Sequence, residues 1–307
     1  MSTLPTFLVI GAAKAGTTAV YEFLRQHPQV FMSPVKEPHF FALEGEPIAF
    51  FGPGDAESIN RVGINDLNRY RALFAGAGGY RARGEGSVSY LYSPRAPRRI
   101  AEHLAEVRLI AVLRDPVERA YSTYLYQRSR GLEPAATFAD ALADEPRRIA
   151  GGWHHIWHYR AMGDYGAQLA RYLEVFEKDR MLICFYDDLV HDAHAFMRRG
   201  FHFVGVDEGL RLDTRVAPGA SGVPRYPLLE TVLFRNRALK RSLRAALPER
   251  LLARVGSRLR RRTLARPPLD PALAASLRQG YRRDLETVEA ITGRDLSDWY
   301  APAGGGT

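Results

Sequence analysis

Near its amino end the chain carries Gly11-Ala-Ala-Lys14-Ala15-Gly16-Thr17-Thr18, a loop of small residues around one lysine that closes on two hydroxyls. Small residues let backbone N–H groups approach a ligand closely, and a helix opening at Thr17 adds partial positive charge. These types in this order describe an anion cradle. Gly11 and Gly16 keep the spacing of a nucleotide-triphosphate loop, but such a loop continues with Lys, for the phosphates, and then Ser or Thr, for Mg²⁺. Here Thr17 occupies the lysine position and Lys14 lies inside the loop. The expected ligand is an anion other than a Mg²⁺-bound triphosphate. A ligand-free turn would also use the glycines, but it would not need the embedded lysine and the paired threonines.

A second constellation, Arg114-Asp-Pro-Val-Glu-Arg-Ala-Tyr-Ser122, follows the apolar run Arg108–Leu113. It puts an arginine at the carboxyl end of a strand, where ligands of open α/β sheets bind. Pro116 suits a first helical turn, so Arg114 and Ser122 lie two turns apart beside one helix start. A planar guanidinium and a hydroxyl suit a terminal phosphate. The competing reading is a surface ion pair of Arg114 with Asp115 or Glu118.

These groups need a rigid frame, and the alternation of patterns supplies one. Phe7–Ile10, Val30–Met32, Arg108–Leu113 and Met181–Tyr186 are short apolar runs that read as buried strands. Helical patterns begin at Thr17 and span Pro94–Ala105, Pro116–Arg130, Tyr165–Phe176 and His194–Val204. The expected fold is α/β: a P-loop-like parallel sheet of about four to five strands with helices on both faces. Residues 38–80 and 131–164 lack a sustained period and read as long loops of the kind that form lids or acceptor walls. With 307 residues, 46% hydrophobic and 25% charged, the chain fits one domain over 1–300 with a flexible tail at 301–307. Its single cysteine, Cys184, excludes an intramolecular disulfide and falls in a strand, so a small core residue is preferred to a catalytic thiol. The amino end lacks a basic leader region and no apolar run reaches membrane-span length, so a soluble cytoplasmic protein is expected.

Taken together with Ser33-Pro-Val-Lys36-Glu37-Pro-His39-Phe40-Phe41, the loop at 11–18 and the stretch Val112–Ser122 resemble the sulfotransferases that use 3′-phosphoadenosine 5′-phosphosulfate (PAPS), in particular the branch with the heparan-sulfate-type domains and bacterial relatives. Tyr165–Phe176, Tyr186–Leu189, Phe203–Gly205 and Thr292–Trp299 extend the likeness to about residues 5–300. The resemblance implies that Lys14 and the N–H groups of Ala15, Gly16, Thr17 and Thr18 hold the 5′-phosphosulfate. Arg114 and Ser122 would hold the 3′-phosphate, joined by Ser221, Gly222 and Arg225 in a closing loop. Glu37 would be the base, with Lys36 beside it and His39 as a secondary candidate. Partial burial near Phe40 and Phe41 would raise its pKa and Lys36 would oppose that; a solvated Lys36–Glu37 pair is the plain alternative. PAP would be the product, and the chemistry needs no metal. One departure stands out: Gly84-Glu85-Gly86-Ser87-Val-Ser-Tyr90 has Gly86 where the heparan-type pattern carries a second lysine, so either Lys36 or an arginine from a loop fills in, or the acceptor differs. Glu85, Ser87 and Tyr90, with Glu37, His39 and Phe40, are still expected on the acceptor side.

Trp153, His154, His155, Trp157 and His158 cluster in the second long loop. His154 and His158 would share a helix face and could suggest a metal, but no carboxylate or cysteine completes a set, and Trp153 and His154 are better suited to stack on a sugar ring or other flat acceptor. Between Arg235 and Arg266 stand twelve Lys/Arg residues and one acid, an excess of +11 against +9 for the chain. Within 228–266 leucines recur every four residues, so a basic helical pair could lie peripherally on an anionic membrane, grip an anionic acceptor, or simply cover the core. The leading expectation is a sulfotransferase acting on an acceptor hydroxyl, on a carbohydrate, glycolipid or glycosylated metabolite, with no nucleic acid as partner. A nucleotide kinase with an atypical loop would want Lys at position 17 and an acid for Mg²⁺. A basic nucleic-acid-binding or membrane-binding protein would leave Lys14, Glu37 and Arg114 unused.

Overall fold

The computed structural model describes residues 4–214, 223–224 and 264–301. Ser221, Gly222 and Arg225, nearly all of the basic segment, and the tail beyond residue 301 lie outside the described residues. Five strands, β1 (Phe7–Gly11), β2 (Val30–Met32), β3 (Ala82–Gly86), β4 (Arg108–Leu113) and β5 (Met181–Phe185), form one sheet in the order β2-β3-β1-β4-β5. Every neighbouring pair is parallel. β1 is buried along its whole length and β4 from Leu109 onward, as expected of a sheet covered on both faces.

β3 is the strand the apolar pattern missed, because its sequence is Ala-Arg-Gly-Glu-Gly. Its reason is packing. A Cβ on Gly84 would stand 2.1 Å from the Phe7 ring, so only glycine lets β3 lie against β1 here. Glu85 is buried in the same strand and accepts hydrogen bonds from Tyr90 Oη (2.6 Å), Ser87 Oγ (2.9 Å) and Tyr70 Oη (3.2 Å).

The main helices are α1 (Thr17–Arg25), α2 (Ala96–His103), α3 (Pro116–Ser129), α4 (Tyr165–Leu173), α5 (Ala193–Val204) and α6 (Pro271–Thr292). The first five fall within the helical patterns, trimmed or shifted at most by a few residues. α6 was not anticipated; it buries Tyr281, Leu285 and Val288 at helical spacing. α1 packs on α5, and α4 on α6. Asp115 caps α3 by accepting from the N–H groups of Val117 (2.8 Å) and Glu118 (3.1 Å), which leaves Arg114 as the last residue of the turn.

The two long loops are built segments. The first contains short helices at Phe40–Leu43, Ile59–Val62 and Leu67–Ala72, the second at Phe138–Ala143 and Glu145–Ala150. Buried Asp55 ties them together, accepting from Gly52 N (2.8 Å), His154 N (3.0 Å) and Trp157 Nε1 (3.1 Å). Within the second, buried Arg148 forms a bidentate pair with buried Glu133 (2.7 and 3.0 Å) and bonds Asp144 through Nε (2.9 Å), while Tyr159 Oη donates to the same Glu133.

Cys184 is buried in β5, and burial pushes its thiol up to about 12, in keeping with a core role. Among the described residues no helix is long and apolar enough to cross a membrane.

Candidate active site

The strands of the sheet end in residues that meet at one place. Lys14 follows β1, Lys36 and Glu37 follow β2, Arg114 follows β4 and Tyr186 follows β5, and all of them line a cavity of about 490 Å³. The carboxyl edge beside a reversal of strand order is where open α/β sheets bind ligands. The chain moves outward from β1 to β2 and later returns past β1 to β4.

The loop after β1 is bent to serve this cavity. Ala12 N–H bonds Val112 O (2.8 Å), anchoring the loop to β4, and Lys14 adopts a left-handed backbone with φ 63°. Gly16 has φ 87° and a Cβ there would sit 2.8 Å from Leu189 Cδ2, so conformation and space both demand glycine. Lys14, Gly16, Thr17 and Thr18 line the cavity beside the first turn of α1, whose N–H groups have no acceptor within the helix. Ala15 does not: it is buried and its N–H turns back to Ala12 O (3.3 Å), which narrows the expected set by one.

The electrostatics call for an anion. Lys14 Nζ lies 4.4 Å from the centroid of the Tyr126 ring and has no carboxylate partner among the described residues. Burial, with Arg114 and Lys36 nearby, brings its pKa down to about 8. Arg114 donates to Lys14 O (3.1 Å), stacks over Tyr186 (4.8 Å) and reaches Glu118 only at 3.4 Å. The Arg114–Glu118 pair considered from sequence is thus present, on a guanidinium that also lines the cavity, whereas Asp115 pairs with Arg278 at the same distance (3.4 Å). Ser122, buried on α3, shares the same wall.

Glu37 lines the same cavity, with a left-handed backbone (φ 64°) and its N–H bonded to Gly86 O (3.0 Å). One carboxylate oxygen pairs with Lys36; the other accepts from Val88 N (2.8 Å) and lies 3.8 Å from His39 Nε2. Burial acts to raise its pKa, but the Lys36 charge and the hydrogen bonds from Lys36 and Val88 N–H outweigh it and hold Glu37 below the ordinary carboxylate range. Lys36 thus wins the competition foreseen from sequence. Glu37 is ionised at neutral pH and sits in the cavity wall with its partner, each about a quarter exposed, which a solvated surface pair would not be.

His39 also lines the cavity, its Nδ1 held by Ser89 Oγ (2.7 Å) and its N–H by Ser87 Oγ (3.0 Å); burial lowers its pKa. Its ring packs edge-on to His154 (5.7 Å) and His155 (5.8 Å). Both are pushed well below the ordinary histidine value by burial, so the three imidazoles face the cavity uncharged at neutral pH.

Several expected acceptor residues are elsewhere. Glu85, Ser87, Tyr90 and Phe40 are fully buried behind the wall: Glu85 is occupied by its three hydroxyl donors, Ser87 supports His39, and Phe40 stacks on Tyr70 (4.4 Å). Trp153 does not line the cavity and packs on Trp157 and Arg148 instead. The helical His154–His158 pairing considered for a metal does not form, since residues 155–157 make one 3₁₀ turn and both His158 ring nitrogens are engaged, with Tyr92 Oη (3.0 Å) and Trp153 O (3.1 Å). Among cavity residues that sequence reasoning left unassigned are Asp55, Tyr126, Gln127 and Arg130, while His155 entered it only as a member of the aromatic cluster. Tyr126 and Gln127 sit on an aromatic-rich helix without a clear apolar stripe, and that missing stripe was the available signal.

Comparison with known proteins agrees with this arrangement. Residues 4–214 match the sulfotransferase domain family. The human bifunctional heparan sulfate N-deacetylase/N-sulfotransferase 3 is 31% identical over 210 residues, covering 66% of this chain and 22% of that protein. The mouse heparan sulfate glucosamine 3-O-sulfotransferase 3B1 is 32% identical over 203 residues, covering 66% of this chain and 46% of that protein. The chain therefore spans less than half the length of these curated relatives. A solved sulfotransferase structure from Alicyclobacillus acidocaldarius superposes with a TM-score of 0.77 at 30% identity, over 96% of this chain and 98% of that one.

Proposed function

Since the chain belongs to the sulfotransferase domain family, we propose that it moves a sulfuryl group from PAPS to an acceptor hydroxyl, with PAP as product. The observation that carries this reading is the convergence of Lys14, Arg114 and ionised Glu37 on one cavity above the first turn of α1. The residues fit the donor: a loop cation with no carboxylate partner among the described residues, first-turn hydroxyls at Thr17 and Thr18, and a second cationic corner at Arg114 and Ser122 suit an anion with two charged ends.

PAPS supplies an activated sulfuryl group. In the transfer, a bond forms between acceptor oxygen and sulfur while the bond from sulfur to the phosphate oxygen of the leaving PAP breaks. Lys14 meets the charge that grows on that leaving oxygen. Glu37 takes the acceptor's proton, and it is available for this because Lys36 and Val88 N–H keep it ionised. Lys36 also supplies a cation near the place left vacant by Gly86. The names of the curated relatives, both acting on heparan sulfate, favour a carbohydrate, glycolipid or glycosylated metabolite as acceptor.

Calorimetric titration with PAP tests the donor site. Wild type is expected to bind, and Lys14→Ala and Arg114→Ala each to weaken binding by roughly tenfold or more, the loss of a charge-assisted contact. Equal affinity in all three proteins would refute the assignment.

A further inference from the structure

Two buried polar atoms that find no hydrogen-bond partner belong to side chains in the wall of this cavity: His155 Nε2 and Gln127 Oε1. The other unpaired atoms of this kind among the described residues belong to side chains that do not line it. Buried polar groups in native proteins are nearly always satisfied, so a pair of exceptions in one cavity wall points to a ligand. We propose that His155 and Gln127 are the acceptor-recognition residues, and that the acceptor is polyhydroxylated, presenting to them hydroxyls other than the one that is sulfated.

The placement supports this. His155 stands 5.8 Å, ring to ring, from His39, which lies 3.8 Å from Glu37. Gln127 follows Tyr126, whose ring carries Lys14 Nζ at 4.4 Å. Both side chains thus belong to the wall of the same cavity that holds the base and the leaving-group cation.

Chemistry narrows the class further. Gln127 Oε1 only accepts, so its partner must be a donor. His155 is neutral, and its Nε2 donates or accepts according to tautomer. Hydroxyl groups satisfy both atoms in either tautomer. A carboxylate, ether or apolar surface would leave Gln127 unsatisfied. Loop geometry holds the pair in place, because Asp55 fixes the neighbouring His154 N–H at 3.0 Å and Gln127 stands near the end of α3.

The proposal rests on the sulfotransferase reading, and its test separates the two. Labelled PAPS is offered with a panel of methyl and octyl hexopyranosides, and with cyclohexanol and octanol as single-hydroxyl counterparts. The proteins are wild type, His155→Ala, His155→Gln and Gln127→Leu, each first titrated with PAP to show an intact fold and donor site. Expected is transfer to at least one glycoside with kcat/KM at least tenfold above its single-hydroxyl counterpart. His155→Ala and Gln127→Leu should each lower that kcat/KM by roughly tenfold to a hundredfold, with PAP affinity and the KM for PAPS unchanged. His155→Gln should recover part of the loss. Equal use of glycosides and simple alcohols, variants that match wild type on glycosides, or a PAP-binding wild type that sulfates no glycoside of the panel would each overturn the proposal. A wild type that does not bind PAP would instead bring down the sulfotransferase reading beneath it.

Discussion

Lys14 shares its surroundings with Arg114 and Lys36, and no carboxylate among the described residues neutralises it. A cation so placed loses hydration and meets like charge, so its proton is held weakly until an anion arrives. The pKa of about 8 makes this measurable. In the free protein Lys14 is charged below that pH and increasingly neutral above it. An anion on Lys14 raises its pKa, so binding near pH 8 must draw a proton from solution. Calorimetry of PAP binding at pH 8 in buffers of different ionisation enthalpy should show net proton uptake, and affinity should fall as pH climbs past 8. Lys14→Arg keeps the charge but does not titrate in this range, and it should abolish the uptake. Uptake unchanged in that variant would assign the proton to another group.

At the level of elements, β3 shows how buried polarity shapes the site. Glu85 is packed among Tyr70, Ser87 and Tyr90, and burial raises its pKa to about 7 despite the hydrogen bonds those hydroxyls donate. The folded protein thus holds a proton on Glu85 that the unfolded chain, with an ordinary carboxyl pKa, has released. Folded protein binds more protons between the two values, so stability from this group is complete below the unfolded pKa and is lost as pH rises through about 7. Glu85→Gln should flatten the fall in melting temperature between pH 5 and 7.5; an identical slope in the variant would remove Glu85 as its source. The same strand marks the limit of sequence reading. β1, β2, β4 and β5 were legible because their interiors are apolar, and Lys14, Arg114 and Glu37 because each follows such a strand directly. Ala82–Gly86 was opaque because its fit comes from absent side chains at Gly84 and from a carboxyl whose partners lie up to 15 residues away. Asp55 was opaque for a related reason, since its partners His154 and Trp157 stand about a hundred positions away.

In the whole molecule, one edge of a parallel sheet gathers the charged groups and two pinned loops close over it. Asp55 joins the loops, and the Arg148–Glu133 pair stiffens the second from within. Breaking a buried pair of that kind typically costs about 3–5 kcal/mol, which accounts for a built cavity wall in segments whose sequence shows no sustained period. The wall and the cradle act on the same space, and the account stands or falls on what happens there. The most direct measurement follows labelled sulfate from PAPS to a glycoside acceptor in wild type, Lys14→Ala and Glu37→Gln. Transfer by wild type with kcat lowered by roughly a hundredfold to a thousandfold in Lys14→Ala, and by about a hundredfold or more in Glu37→Gln, is the result expected. Full activity in either variant would contradict the roles given to the cation in the loop and the carboxylate that faces it.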